Sequence, residues 1–252
     1  IKIKTEEEIK IMEQAGRILA EVMKELVAKV KPGIATKELD RAAEALILSA
    51  GAKPSFKGYG NFPAVICTSI NEEIVHSVPS NRELKEGDIL SLDGGVYYKG
   101  YHSDMAVTVA VGKISPEAAR LIRVAKKSLK RGIKKVRAGL TFGDIGNTIQ
   151  RYAEGRGYGV VRELAGHGIG RDLHEEPEIS NYGKRRSGEK IKEGMVFCIE
   201  PMLTMGDWHI KIAKDGFGLQ TKDGSLSAHF EHTIAVTKKG PKILTLPPSQ
   251  IG

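Results

Sequence analysis

"LKEGDILSLD" (84–93) and "IKEGMVFCIE" (191–200) are two versions of one string. Each opens on a Lys-Glu-Gly turn, runs through apolar strand-forming residues and ends on an acid, Asp93 or Glu200. A carboxylate at the end of a buried run is costly unless something pairs with it. Two further matches flank this one in the same order. "VKPGIATKEL" (30–39) lines up with "VRAGLTFGDI" (136–145), and "HSDMAVTVAV" (102–111) lines up with "HFEHTIAVTK" (229–238). Matches in one order and of one element type imply two related halves, each helix–helix–strands, meeting about a pseudo-twofold axis. The expected organisation is one domain, 1–252, with halves at about 1–111 and 112–252.

The repeat sets Asp93 against Glu200 and Asp104 against Glu231. Four carboxylates brought together in a core repel one another and take up protons unless cations sit between them. The repeat therefore points to a metal cluster, of two ions rather than one. Oxygen-rich ligation with some imidazole suits Mn, Fe, Co or Zn. The alternative is four acids that each cap or pair separately at the surface, and their apolar surroundings count against it.

The remaining elements read from local signals. Thr5 and Glu8 form a capping-box pattern, followed by Ile9, Met12, Gly16, Leu19, Met23, Leu26 and Val30 at helical spacing. "KPG" (31–33) stops that helix, and a second is predicted from Thr36 to Ala50 with Gly51 after it. Strands are predicted over 64–70, 88–93, 104–111, 195–200 and 229–237. Ser115 and Pro116 open a third helix, and Thr141 with Asp144 a fourth. In the third, Leu121, Ala125, Leu129, Ile133 and Val136 make an apolar stripe, while Lys and Arg fill the other face.

The 252 residues suffice for one sizeable core, and a 40% hydrophobic, 28% charged composition is that of a soluble globular protein. No apolar run approaches the roughly 18 residues of a membrane span, and no signal-peptide pattern is visible. Cys67 and Cys198, the two cysteines, lie in apolar runs and read as buried free thiols, which fits a reducing cytoplasm. The net charge of +8 favours anionic partners, and the basic face around Lys126, Lys127, Lys130 and Lys134 is a possible RNA contact, though a solvated helix face reads the same way.

Among seven histidines, His167 stands out in "AGHGIGRDLHEEP" (165–177), with glycines around it and His174 following. The glycines let the backbone approach something closely and argue against a helical zinc motif. One imidazole can complete a carboxylate metal site, and a second can donate to a developing oxyanion. His76 is singled out only by its place ahead of Asp93, and His102, His209, His229 and His232 gain no role from pattern.

Five motifs in order, "CTSINEEIVHSVP" (67–79), "SLDGGVYYKGYHSD" (91–104), "GHGIGRDLHEEP" (166–177), "FCIEPM" (197–202) and "TKDGSLSAHFEHT" (221–233), resemble those of type I methionine aminopeptidases. The resemblance covers nearly the whole chain. It implies the α+β pita-bread (creatinase/aminopeptidase) fold, in which two pseudo-symmetric halves form a curved antiparallel sheet covered by helices. It implies removal of N-terminal methionine from nascent polypeptides when the second residue is small, by a monomeric cytoplasmic enzyme. Two divalent ions (Co, Mn, Fe or Zn) are implied, one on Asp93, the other on His167 and Glu200, with Asp104 and Glu231 bridging. A metal-bridging water or hydroxide would attack the scissile carbonyl, with Glu200 carrying the proton, His174 bonding the carbonyl oxygen and His76 contacting the scissile nitrogen. Tyr59, Phe62, Cys67 and Phe217 fall where the family lines its methionine pocket.

Some residues depart from the family pattern. Ser77 in "HSVP" is expected to narrow the turn beside His76, "LDGG" (92–95) to make its strand more flexible, and Phe217 replaces a frequent Trp. Other readings are an X-Pro peptidase of the same fold, which usually carries an extra N-terminal domain, and a metal-free binding module, which would have lost ligands. Contact with the ribosome through the basic helix is a further expectation.

Overall fold

Helix α1 (Glu6–Lys29) starts at its capping box, in which Thr5 accepts from the Glu8 N–H at 3.2 Å and Glu8 accepts from the Thr5 N–H at 2.9 Å. These bonds come from a computed structural model of the chain, which describes residues 1–246. In α2 (Thr36–Ser49) Ala35 has no cap oxygen, yet Glu38 still reaches back to the Ala35 N–H at 2.9 Å. Ser115 caps α3 (Pro116–Ile133) through the Ala118 N–H at 3.1 Å. Asp144 closes the start of α4 (Phe142–Glu154) on the Thr141 N–H, also at 3.1 Å. All five residues of the predicted α3 stripe are buried, and Lys126, Lys127, Lys130 and Lys134 are exposed.

The first half's sheet is built around a hairpin of two ten-residue strands, Ile89–Tyr98 with Tyr101–Ala110, joined by Ile66–Ile70 and Lys53–Pro54. The second half's five-stranded sheet runs Gly240–Ile243, His232–Thr237, Val196–Ile199, Ala165–Gly168, Glu175–Ser180. All pairings are antiparallel, and two small three-stranded sheets complete the architecture, which is α+β as expected. Period-two alternation splits the first hairpin into two faces. Leu90, Leu92 and Val96 pack with Leu19, Met23 and Leu26 of α1 in one core cluster. Ser91, Asp93 and Gly95 take the opposite face with Asp104, Ala106 and Thr108, their paired or diagonal neighbours. In the second half Phe197, Ile199, Ile234 and Val236 pack with the apolar faces of α3 and α4.

Backbone bonds recur between the halves. Gly33 donates to Leu84, which donates to Ile34; Gly139 donates to Ile191, which donates to Leu140. Thr36 donates to Arg82 and Lys37 to Ser80, as Phe142 does to Glu189 and Gly143 to Ser187. Across the centre, Thr108 Oγ1 accepts from the His229 N–H and donates to the His229 carbonyl, both at 2.8 Å. Thr233 Oγ1 does the same to Asp104, at 2.9 and 2.8 Å.

That reciprocity corrects the sequence matching of the last strands. Thr108 is the counterpart of Thr233, so Asp104 corresponds to His229 and Glu231 to Ala106. A two-residue slip leaves every side chain on its original face and the apolar pattern intact, so string matching does not detect it. A second expectation also changes. The second half breaks its strands at the acids, where Pro201 cannot donate to a ladder. In the first half the strands run through Asp93 and Asp104, and Gly94 and Gly95 stay fully paired. Those glycines serve close packing rather than flexibility: a Cβ on Gly95 would lie 2.9 Å from Phe56 and Ser55.

Candidate metal centre

Asp93 and Asp104 are diagonal neighbours on the inner face of the first hairpin, from adjacent strands. Glu200 follows Val196–Ile199, and Glu231 falls between Ser227–His229 and His232–Thr237, with its N–H bonded to the Ala106 carbonyl at 2.9 Å. His167 comes from the short strand Ala165–Gly168. The glycines around it admit neighbouring backbone: a Cβ on Gly166 would sit 2.3 Å from the Cys198 carbonyl oxygen, and one on Gly168 2.2 Å from that of Glu176.

The structure brings all five expected ligands together. His167 Nε2 lies 3.7 Å from Glu200, 3.9 Å from Asp104 and 4.0 Å from Glu231. Donor atoms of Asp93, Asp104 and Glu231 lie within 4.8 Å of one another, as do those of His167, Cys198 and Glu231. Asp93 Oδ1, Asp104 Oδ1 and Glu231 Oε1 are buried with no hydrogen-bond partner, an arrangement that cations would satisfy. Burial raises the Asp93 carboxyl to about 7. Burial, then neighbouring carboxylates, pushes Asp104, Glu200 and Glu231 well above the usual range. Burial holds His167 neutral, its pKa lowered to about 4, which leaves the ring able to ligate. The donor set therefore fits divalent metal. Cys198 fits less well, because burial and the nearby acids push its thiol far up and keep it protonated.

The centre forms the floor of a cavity of about 570 Å³. Phe62, Cys67 and Phe217 share one apolar cluster on its wall, the two rings edge-to-face at 5.7 Å. Cys67 is also the cross-strand partner of Asp93. Tyr59 lines the cavity too, but outside that cluster, with its hydroxyl 2.7 Å from His174 Nδ1. The His174 ring is edge-on to His167 at 4.2 Å. The surrounding protein and then the neighbouring imidazoles lower the His174 pKa to about 3. His76 lines the cavity on a left-handed backbone, φ 61°, a strain that non-glycine residues tolerate mainly at functional positions.

Two features were not legible in the sequence. Leu164 and Phe56 also line the cavity with no motif to mark them, as does Met202, which lies within "FCIEPM" but gains no role from it. His229 is 1% exposed, neither ring nitrogen has a hydrogen-bond partner, and Nε2 lies 3.9 Å from Glu200. Its one signal is the corrected repeat, which gives it the place that Asp104 holds in the first half.

Residues 10–238 match the model of metallopeptidase family M24. The methionine aminopeptidase of Clostridium perfringens is 50% identical over 246 residues, covering 98% of this chain and 99% of that protein. The crystal structure of methionine aminopeptidase from Rickettsia prowazekii superposes with a TM-score of 0.96 at 43% identity, over 98% of this chain and 100% of that one. The prolidase from Pyrococcus furiosus gives 0.78 at 27% identity, over 96% of this chain and 65% of that one. The pita-bread architecture is thus common to this chain and these neighbours, and the chain belongs to metallopeptidase family M24.

Proposed function

We propose that this chain is a metal-dependent aminopeptidase that removes the N-terminal methionine from nascent polypeptides whose second residue is small. The observation that carries the reading is one cavity with a carboxylate–imidazole donor cluster as its floor and the Phe62–Phe217–Cys67 cluster as its wall. Aromatic rings and a thiol suit a thioether. Identity of 50% with a methionine aminopeptidase, against 27% with a prolidase, favours this reading over an X-Pro peptidase. Retention of all five donors favours it over a metal-free binding module.

The residues divide the work. Asp93 would hold one divalent ion, His167 and Glu200 a second, with Asp104 and Glu231 between them. In support, Glu231 belongs to both donor groups and Asp104 reaches toward both Asp93 and His167. Such ions (Co, Mn, Fe or Zn) supply Lewis acidity and lower the pKa of a water toward neutrality. Glu200, at the edge of the donor cluster, would accept the proton and return it to the leaving nitrogen. With the Tyr59 hydroxyl donating to Nδ1, His174 keeps its proton on Nε2, free to bond the scissile carbonyl oxygen. His76 contacts the scissile nitrogen. Tyr59 therefore has a second task beyond lining the pocket, fixing the His174 tautomer.

Metal-loaded protein should hydrolyse Met-Ala-Ser and leave Met-Leu-Ser intact, and a chelator should abolish the activity. Glu200→Gln and His167→Ala should each lower kcat at least about a hundredfold while circular dichroism stays unchanged. Wild-type turnover by either variant removes that residue from the mechanism. A reducing cytoplasm fits the two buried free thiols. Contact with ribosomes through Lys126, Lys127, Lys130 and Lys134 is tested by charge reversal in a ribosome-pelleting assay.

A further inference from the structure

A second cavity, of about 490 Å³, opens between α3 and α4 and shares no lining residue with the metal centre. Arg131 and Lys135 line it from the end of α3, Arg151 and Arg156 from the end of α4, and Arg185 from the segment after Glu175–Ser180. Among the described residues none of these five cations forms an ion pair, whereas Arg17, Arg82, Arg162 and Arg171 each do. The one carboxylate in the wall, Asp144, offsets only one of these five charges and leaves the cations in excess. Asp144 is committed to the α4 cap, accepting from the Thr141 N–H and hydroxyl at 3.1 and 2.9 Å, and from the Arg186 N–H at 3.3 Å.

Two of the cations are held in place. The Arg131 and Arg156 guanidiniums lie 4.4 and 3.7 Å from the centroid of the Tyr152 ring, and Arg156 also donates to the Tyr152 carbonyl at 3.1 Å. Ordering the guanidiniums on an aromatic ring before any ligand arrives reduces the entropy lost on binding. Five like charges around one concavity repel each other, and that repulsion is relieved by a multivalent anion. The volume lies within the range of small-ligand sites.

We propose that this cavity binds a compact polyphosphate, the class that includes nucleoside triphosphates. Guanidinium forks match phosphate oxygens in pairs, and several converging forks favour a polyphosphate over a single carboxylate. The cations ring a cavity rather than lining a track, and the exposed Lys126, Lys127, Lys130 and Lys134 lie outside it, which favours a compact ligand over an extended nucleic-acid strand.

The test is fluorescence titration of metal-loaded protein with a fluorescent ATP analogue in excess magnesium, with competition by tripolyphosphate and by a dodecauridylate RNA. Saturable binding displaced by tripolyphosphate is expected. Arg151→Gln/Arg185→Gln should weaken it at least about tenfold, and Lys10→Gln/Lys37→Gln, which removes the same charge from the exposed surface of the other half, less than about twofold. Aminopeptidase kcat/KM should be unchanged in both variants, which shows that they fold. Absence of saturable binding, equal loss in the two variants, or displacement by RNA alone would overturn the proposal.

Discussion

At the scale of single residues, His229 has the least obvious position. It lies within the central face, held by backbone bonds to Thr108, with two unpartnered ring nitrogens and burial that keeps it neutral, pKa about 3. Its Nε2 is 3.9 Å from Glu200, so a small side-chain adjustment would complete a hydrogen bond that orients this ligand. Groups that orient metal ligands typically contribute tenfold or more to affinity. His229→Ala should therefore weaken metal binding about tenfold in calorimetric titration. Unchanged affinity would show that the ring only fills space.

At the scale of elements, the chain start is tied to the segment that carries His174. The Lys4 N–H donates to the Gly194 carbonyl at 2.8 Å, and its ammonium bonds Glu175 at 2.6 Å, both side chains being about 5% exposed or less. Glu175 also accepts from the Arg171 N–H at 3.0 Å, so one carboxylate organises the turn before His174. Burial alone would raise this carboxyl, but the bond and charge of Lys4 bring it below the usual range. A depressed folded pKa stabilises above the unfolded value and is lost as pH falls through the folded one. Lys4→Met should cost roughly 2 kcal/mol at pH 7, because it leaves the buried Glu175 with only the exposed Lys2, 3.6 Å away, as a charge partner, and the deficit should shrink below about pH 4. Thermal unfolding across pH reads both effects; a pH-independent deficit would mean that only packing was lost.

At the scale of the molecule, the halves press four acids against one another. Without metal, their raised pKa values leave these four groups holding more protons in the folded chain than in the unfolded one, from about pH 4 to at least about pH 7. Through that window the four acids lower the stability of the metal-free protein as pH rises, while below about pH 6.5 His167, His174 and His229, kept neutral by burial, act in the opposite direction, so the net fall is expected above about pH 6.5. Chelation should lower Tm far more at pH 7.5 than at pH 5, and metal affinity should rise with pH as bound protons are displaced. A chelation effect that is flat across this range would argue against a carboxylate-dominated centre. No helix among the described residues is long and apolar enough to cross a membrane.

The helix starts, and the acids and histidine that the structure gathers at its centre, were legible along the chain. Thr5, Ser115 and the Thr141–Asp144 pair mark helix starts through bonds that span only three residues, and spacing along one chain reads such bonds directly. The acids of the repeat and the histidine among glycines were legible for a similar reason, since their residue types are incompatible with an ordinary core. Short strands such as Ala165–Gly168 and Met202–Thr204 were not legible, because three or four residues carry too little alternation to identify. The register between halves, the correspondence of Asp104 with His229 in the repeat, and the convergence of Arg131, Arg151 and Arg185 on one cavity emerge only once the chain is folded. Those features depend on which faces meet, across more than a hundred residues between the halves and about fifty around the second cavity, and a two-residue slip or a change of partner leaves the local pattern unaltered.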